Sequence, residues 1–439
     1  MISILGAGRS SVFLIEYLAA YCADQNKSIT LCDKEMTPTA KYAMDHFNVK
    51  FSPLDLDDKD QLENLVMSSE LVVSMLPAFM HIEVALLCIK HKVNLATASY
   101  ISPAMAELAT EVEANGLVFL NEMGLDPGID HMSAMQIMDD IKAKGGKITG
   151  FKSFCGGLIA DEDDGDNPWK YKFSWNPRNV VLAAQGQPAQ YLENGHLKLK
   201  PYQRIFNETE IYNIEGYGAL EAYPNRDSLK YLELYDLHGV KDMLRGTFRK
   251  TGYCSAWQIP LILGMTDDSV VLDLRPNTSL AEWFEMYLPH SEGSLQDRIR
   301  KMFNAKDELI DKLTFLGLFG NETLPVTHGT SAAIFEEILK SKWKLQSDDK
   351  DLVVMLHQIA YELNGKQTTH ESVMVLKGED GSRTAMAKTV GLPLAIACKL
   401  LLEGKIKSKG VLAPMKKELY EPILAELKQH GIEFKDRLY

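Results

Sequence analysis

Along its first quarter the chain switches repeatedly between short, continuous apolar runs and longer stretches with helical spacing. Met1 to Leu5 is an apolar run of strand length, and VFLIEYLAAYC (Val12 to Cys22) repeats its apolar residues with a helical period. SITLC (Ser28 to Cys32) predicts a second strand ending at Asp33. Pro38 to Phe47 reads as a helix, and VKFSPLDL as a short strand ending near Asp55. The alternation continues through a helix at Asp60 to Met67, the strand ELVVSMLP (70–77), a helix at His81 to His91, the strand VNLATAS (93–99), a helix at Pro103 to Asn115 and the strand LVFLNEMG (117–124). Wholly apolar strands alternating with helices predict an α/β fold with a doubly wound parallel sheet, covered on both faces.

The pattern changes near Gly124. A helix over Ile129 to Lys144 leads into ITGFKSFCGG and then into longer strands and loops, among them YKFSWNPR, the hairpin-like PAQYLENGHLKL and YPNRDSLKYLELY. From about Ser279 to Leu363 the spacing predicts helices, the last of them in KDLVVMLHQIAYEL. HESVMVLKG then predicts a strand, and AMAKTVGLPLAIACKLLLEGKI a long apolar helix. Three blocks are expected: residues 1–125, completed by about 390–439; residues 126–278 with 364–389, a second α/β domain; and residues 279–363, a small all-helical insertion. The long late helix and the segment from Leu419 to Tyr439 are expected to pack back on the first block.

A chain of 439 residues exceeds what one core usually serves, which agrees with several domains. Lys plus Arg is 47 and Asp plus Glu is 60, a net charge of −13. That balance disfavours nucleic acid and anionic membranes as partners, and an anionic substrate would need local arginines. No apolar run approaches the roughly 20 residues of a membrane span, and no basic leader precedes the first strand, so a cytoplasmic location is expected. The six cysteines are scattered without a C-x-x-C pair, and there is no H-E-x-x-H or G-x-x-x-x-G-K-[ST]. Neither a disulfide framework nor a metal centre is expected.

The turn ILGAGRSS offers Gly6 and Gly8 where a dinucleotide loop needs a sharp bend and a close backbone approach. Ser11 stands where the third glycine usually falls. It is small enough for the helix to lie on the strand, and its hydroxyl could donate to phosphate. Arg9 and Ser10 complete the turn. The second strand ends at Asp33, where a carboxylate accepts from ribose hydroxyls and repels a 2′-phosphate; NAD is therefore expected over NADP, although Lys34 follows at once. Ligands in such sheets sit beyond the carboxyl ends of the strands, which carry Ser74-Met75-Leu76-Pro77, Ser99-Tyr100 and Gly124-Leu125-Asp126-Pro127-Gly128. Leu76-Pro77 is placed to pack on a nicotinamide. Asp126 suits either chemistry or the cap of the following helix, and His131 either a proton shuttle or a structural histidine.

Several long, ordered segments resemble the saccharopine dehydrogenase family of the glutamate-forming type. They are GLDPGIDHMSAM (124–135), FCGGL (154–158), NPWKYKFSWNPRNVVLA (167–183), PAQYLENG (188–195), AYPNRDSLKY (222–231) and LRGTFRKTGY (244–253). The resemblance implies a variant Rossmann domain, an α/β substrate and dimerisation domain and a small helical domain, with a homodimer as the assembly. The implied reaction interconverts saccharopine and water with 2-aminoadipate 6-semialdehyde and glutamate, using NAD or NADP. Implied nucleotide contacts fall at Gly6 to Ser11, Asp33, Asp55, Leu76, Pro77, Ala98 and Ser99. Implied substrate contacts fall at Ser99, Tyr100, Asp126, Phe173, Ser174, Arg226, Arg245 and Thr247.

The chemistry asks for few groups. Guanidinium forks fix carboxylates, and Arg226 and Arg245 lie in segments that read as turns. A group must also take the proton of the secondary amine and later serve the water; Asp126, Tyr100 and Cys155 are the candidates. Two other readings stay open: a carboxynorspermidine-type reductase coupling an aldehyde to a diamine, and a dinucleotide-binding sensor without turnover. The NRDS and LRGT segments favour saccharopine over the first, and the intact DPG, FCGG and arginine segments argue against the second.

Overall fold

The structure is a computed structural model and describes residues 1–183 and 185–439. The chain forms two compact units, one of Met1–Lys147, Glu362–Lys366 and Ser372–Arg437, the other of Ile148–Tyr361, Gln367–Glu371 and Leu438–Tyr439.

In the first unit the apolar runs form β1 (Ile2–Leu5), β2 (Ile29–Asp33), β3 (Val49–Pro53), β4 (Leu71–Ser74), β5 (Asn94–Thr97) and β6 (Val118–Leu120). They align in parallel in the order β6-β5-β4-β1-β2-β3, and Gly410–Leu412 adds a parallel seventh strand beside β6. The order reverses at β1 and β4, so their carboxyl ends flank a crevice, the usual ligand position in such sheets. Helix α1 (Val12–Asp24) follows β1, and α4 (His81–His91) follows β4. The helix expected over Pro103 to Asn115 divides into Pro103–Glu107 and Ala109–Ala114.

The 18-residue helix Ala385–Leu402 is long and apolar enough to cross a bilayer, contrary to the sequence expectation, yet most of it is buried inside the protein. It begins at Thr384, whose hydroxyl accepts from Ala387 N at 3.0 Å, and it lies against α1. Gly391 makes that approach possible: a Cβ there would stand 2.8 Å from Leu14 N and 3.3 Å from Ser10 O. Arg383 pairs with Glu16 and lies over the Phe13 ring at 4.6 Å. Lys399 meets Glu426 at 2.7 Å, and Tyr420 donates to Asp139 at 2.6 Å.

In the second unit the strand Lys147–Ile159 runs parallel to Asp242–Lys250, which pairs antiparallel with Gly218–Pro224, and that with Glu210–Ile214. Residues 351–363 correct a helix expectation: Asp351–Leu363 is a strand, next to Lys147–Ile159 in the sheet order. Its Leu352 to Leu356 are all buried, so both faces are covered. A continuous apolar run then carries no period that separates strand from helix. The helices Leu280–Glu285, Leu295–Phe303, Asp307–Phe315 and Ser331–Lys342 do form. The first has a capping box between Ser279 and Glu282. Their core is aromatic: Trp169, Trp257, Trp283 and Trp343 are fully buried, with Trp169 and Trp343 ring centres 5.3 Å apart.

Gly391→Ala is expected to destabilise the protein by about 1–3 kcal/mol through overpacking, because the new methyl meets backbone rather than a movable side chain. Thermal denaturation checks this; an unchanged Tm would refute the close approach.

Candidate functional site

The turn after β1 is held by its neighbours. Asp33 Oδ2 accepts from Ala7 N at 2.8 Å, and Oδ1 accepts from Lys34 N at 2.8 Å. Thr37 Oγ1 donates to Ala7 O at 2.6 Å. Each Asp33 oxygen keeps a lone pair beyond these bonds, enough for two ribose hydroxyls. The two glycines differ in kind. Gly6 has φ +92°, and a Cβ there would lie 3.0 Å from Met75 O. Gly8 has ordinary φ, and a Cβ there would meet nothing within 4 Å. The protein therefore needs glycine at position 6 for its own folding. The open space beside Gly8 is where a diphosphate can approach the backbone.

Residues Arg9–Ser11 form a single 3-10 turn before α1, and no side chain caps Gly8 or Ser11. The amides that open α1 are thus left to an anion. Arg9 is exposed and Ser10 half-buried. Ser11 departs from expectation: it is buried, and its hydroxyl donates back to Gly8 O at 2.7 Å. It locks the turn and is not spare for phosphate.

Beside the turn lies a cleft of about 230 Å³, lined by Leu54, Leu56, Leu76 and Met80 with Asp33 and Lys34. Asp55 and Asp57 also line it. Asp55 accepts from Asp57 N at 3.1 Å and faces Lys34 Nζ at 3.5 Å. Those two contacts, the backbone bond foremost, hold its carboxyl below the ordinary value. An apolar slot with hydroxyl-binding carboxylates suits an adenosine, so the residues present fit a dinucleotide. A larger cavity, about 420 Å³, lies in the second unit between Phe154, Lys200 and Arg204, and holds none of the sequence-predicted site residues.

Tyr100 and Asp126 meet beyond β5 and β6, the Tyr100 hydroxyl donating to Asp126 Oδ1 at 3.0 Å. Asp126 does not cap the helix Ile129–Ala143, which starts at Gly128. Asp130 supplies the local bond instead, accepting from Gly128 N at 2.6 Å. His131 is fully buried, with Nε2 at 2.8 Å from Glu122 Oε2 and Nδ1 at 3.6 Å from Asp130 Oδ2. Glu122 also accepts from Ile101 N at 2.9 Å. Glu122, His131 and Asp130 thereby fix the chain on both sides of the Tyr100–Asp126 pair.

Sequence reasoning passed over His81. It is the first residue of α4 and is buried. Its Nδ1 lies 2.8 Å from Ser74 Oγ, at the end of β4, and its Nε2 lies 2.8 Å from Ser99 Oγ. Burial pushes its pKa down to about 4, so the ring is neutral at neutral pH. Nothing in local spacing singles it out, because its partners come from two different strand ends. Ala98 and Ser99 are half-buried beside it; at the end of β4, Leu76 is half-buried and Pro77 exposed.

The remaining candidates lie in the second unit. Strand register sets Cys155 opposite Thr247 and Ser153 opposite Arg245. Thr247 Oγ1 donates to Asn225 Oδ1 at 2.7 Å, and Asn225 N donates to Arg245 O at 2.8 Å. Arg245 is not in a turn, as the sequence suggested, but in the strand Asp242–Lys250, and is buried with its guanidinium 4.0 Å over the Tyr231 ring. A planar cation stacked on an aromatic face is fixed in orientation. Arg226 does lie in a bend and is exposed. Asp227 accepts instead from Leu229 N at 2.8 Å, and no ion pair engages Arg226 among the described residues. Cys155 is buried. Phe173 and Ser174 belong to the aromatic core: Phe173 packs on Trp343 at 5.4 Å, and Ser174 is buried next to it. Arg249, also overlooked, is enclosed by Tyr171, Tyr253 and Tyr223 at 5.3, 5.3 and 5.7 Å.

Residues 2–120 match the family described as saccharopine dehydrogenase NADP binding domain, and residues 124–432 the saccharopine dehydrogenase C-terminal domain. The mitochondrial alpha-aminoadipic semialdehyde synthase of Mus musculus is 36% identical over 98% of this chain and 47% of its own length. The chain thus spans about half the length of that relative. The saccharopine dehydrogenase [NADP(+), L-glutamate-forming] of Saccharomyces cerevisiae is 32% identical over 99% of this chain and 98% of its own. An apo structure of histidine-tagged saccharopine dehydrogenase (L-Glu forming) from S. cerevisiae superposes with a TM-score of 0.89 at 31% identity, covering 100% of this chain and 99% of that one.

The two glycines should separate on substitution. Gly6→Ala is expected to lower Tm, whereas Gly8→Ala should leave Tm within about 1 °C and weaken dinucleotide binding about tenfold or more. Thermal melts paired with NADH fluorescence titration check this; tight binding by Gly8→Ala would show that no diphosphate passes there.

Proposed function

The chain belongs to the saccharopine dehydrogenase family, and from that premise we propose that it interconverts saccharopine and water with 2-aminoadipate 6-semialdehyde and L-glutamate, in lysine metabolism. The observation that carries the reading is the Tyr100–Asp126 pair at the carboxyl edge of a sheet whose first turn is shaped for a dinucleotide. Full-length similarity to a yeast enzyme named for the glutamate-forming reaction supports it.

A bound nicotinamide dinucleotide supplies the hydride acceptor. Gly6 to Ser11 would hold its diphosphate, Asp33 its adenosine ribose, and Leu76, Pro77, Ala98 and Ser99 its nicotinamide end. Saccharopine carries three carboxylates and two amines, so charge recognition dominates its binding. Arg245, oriented by Tyr231, suits a two-pronged grip on one carboxylate, and Arg226, exposed without an acidic partner among the described residues, suits another. The secondary amine must lose a proton for oxidation. Asp126, whose Oδ1 accepts from the Tyr100 hydroxyl, is the acceptor of that proton. Tyr100, by donating to Asp126, steadies the carboxylate before the transfer and can return a proton as water adds. Cys155, buried in its strand, is the weaker of the three candidates.

The cofactor preference proposed for this chain is NAD, although the yeast relative is named for NADP(+). Asp33, Asp55 and Asp57 all line the adenosine cleft, and the one cation lining it among the described residues, Lys34, already faces Asp55. Three carboxylates oppose a 2′-phosphate far more than a shared lysine attracts it.

Saccharopine-dependent reduction of NAD, with glutamate identified as product, tests the reaction; absence of turnover with either dinucleotide would end the reading. Asp126→Asn should cut kcat about a hundredfold or more while KM changes little. Arg226→Ala should instead raise saccharopine KM about tenfold. For the cofactor, kcat/KM is expected to favour NAD over NADP by about tenfold or more, and a reversed ratio would refute the role given to the acidic cleft.

A further inference from the structure

Three elements of the first unit converge on one imidazole: the end of β4 at Ser74, the start of α4 at His81, and the Thr97–Ser99 segment after β5. Ser74 is fully buried, and its hydroxyl pairs with His81 Nδ1. Ser99 is half-buried. Its amide donates to Thr97 Oγ1 at 3.2 Å, and its carbonyl accepts from Glu122 N at 3.0 Å. With the Ser99 backbone held at both ends, the freedom left is rotation of the hydroxyl. His81 Nε2, 2.8 Å from that oxygen, removes it, and Thr97 Oγ1 lies farther off, at 3.3 Å.

We propose that His81 is a positioning residue, a buried post standing on Ser74 that sets the Ser99 hydroxyl for the bound dinucleotide and saccharopine. The inference rests on the function proposed above, in which Ser99 holds the nicotinamide end, and on the substrate contact that the family resemblance implies for it. A neutral imidazole has one N–H and one lone pair, so it can serve one hydroxyl on each side. A hydroxyl whose rotor is set before binding presents its remaining bonding capacity without reorganisation. His81 itself reaches ligand only through Ser99.

A double-mutant cycle tests this with His81→Phe, Ser99→Ala and the combination, with Ser74→Ala as the gentler cut at the far end of the post. If His81 acts through the Ser99 hydroxyl, each single change should lower kcat/KM for saccharopine oxidation about tenfold, and the double should fall no more than about twofold below Ser99→Ala. Additive losses of about a hundredfold would mean that His81 only supports the fold, overturning the proposal. Should His81→Phe fail to accumulate as folded protein, the Ser74 arm decides. Ser74→Ala is expected to lower kcat/KM about threefold when Ser99 is present and to have no effect in Ser99→Ala, and equal effects in both backgrounds would overturn the proposal. Failure of the functional reading shows separately, as no saccharopine oxidation by the wild-type protein. The same cycle is then read as the dissociation constant of NADH by fluorescence, where coupling supports the post and additivity refutes it.

Discussion

The bond from the Ala7 amide to the Asp33 carboxylate is the constraint on which the nucleotide site depends. It joins the end of β2 to the turn after β1, and Thr37 holds the same residue from its carbonyl side. With Ala7 fixed at both backbone polar atoms, Gly6 must take its left-handed bend and Gly8 must face outward. Ser11 can then close the turn on Gly8 O. A bond to an ionised acceptor is stronger than a neutral one, so the loop is shaped before any anion arrives. The same carboxylate is the group expected to read the ribose, which couples the architecture of the turn to the choice of cofactor.

Much of the first unit could be read from residue order alone, because its strands are buried on both faces and leave unbroken apolar runs. The same property misled at 351–363. DLVVMLHQIAYEL contains good helix formers such as Leu, Met and Ala, and only its place in a sheet covered on both sides makes it a strand. Gly6, Gly8, Asp33 and Asp126 were legible as turn and strand-end residues, since such positions impose local demands on residue type. His81 was not, because its meaning arises where β4 and β5 bring Ser74 and Ser99 to its two nitrogens. Ser11 and Arg245 were found as residues but misread in role or setting, since hydroxyl direction and burial are set by tertiary packing.

Three arginines of the second unit show how far residue type alone falls short. Arg249 is enclosed by three tyrosine rings and donates to Phe248 O at 2.9 Å; it belongs to the core. Arg245 lies four positions earlier on the same strand, stacked on one ring. Arg226 stands in a bend, exposed. Arg249 and Arg245 are equally buried, at 3%, and of the three it is Arg226 that stands open to a carboxylate from solution.

The strand Gly410–Leu412 and the helix Ala385–Leu402 come from the last part of the chain, yet they complete a sheet begun at Ile2. The nucleotide-binding half is therefore discontinuous. During synthesis its early strands must wait, with an apolar flank of β6 and α1 uncovered, until residues 385–412 have left the ribosome. Closing a loop of that length adds little to the equilibrium cost but slows folding, since distant partners must meet before their contacts stabilise anything. Intolerance of deletions that remove residues 385–412 is built into how this topology is threaded.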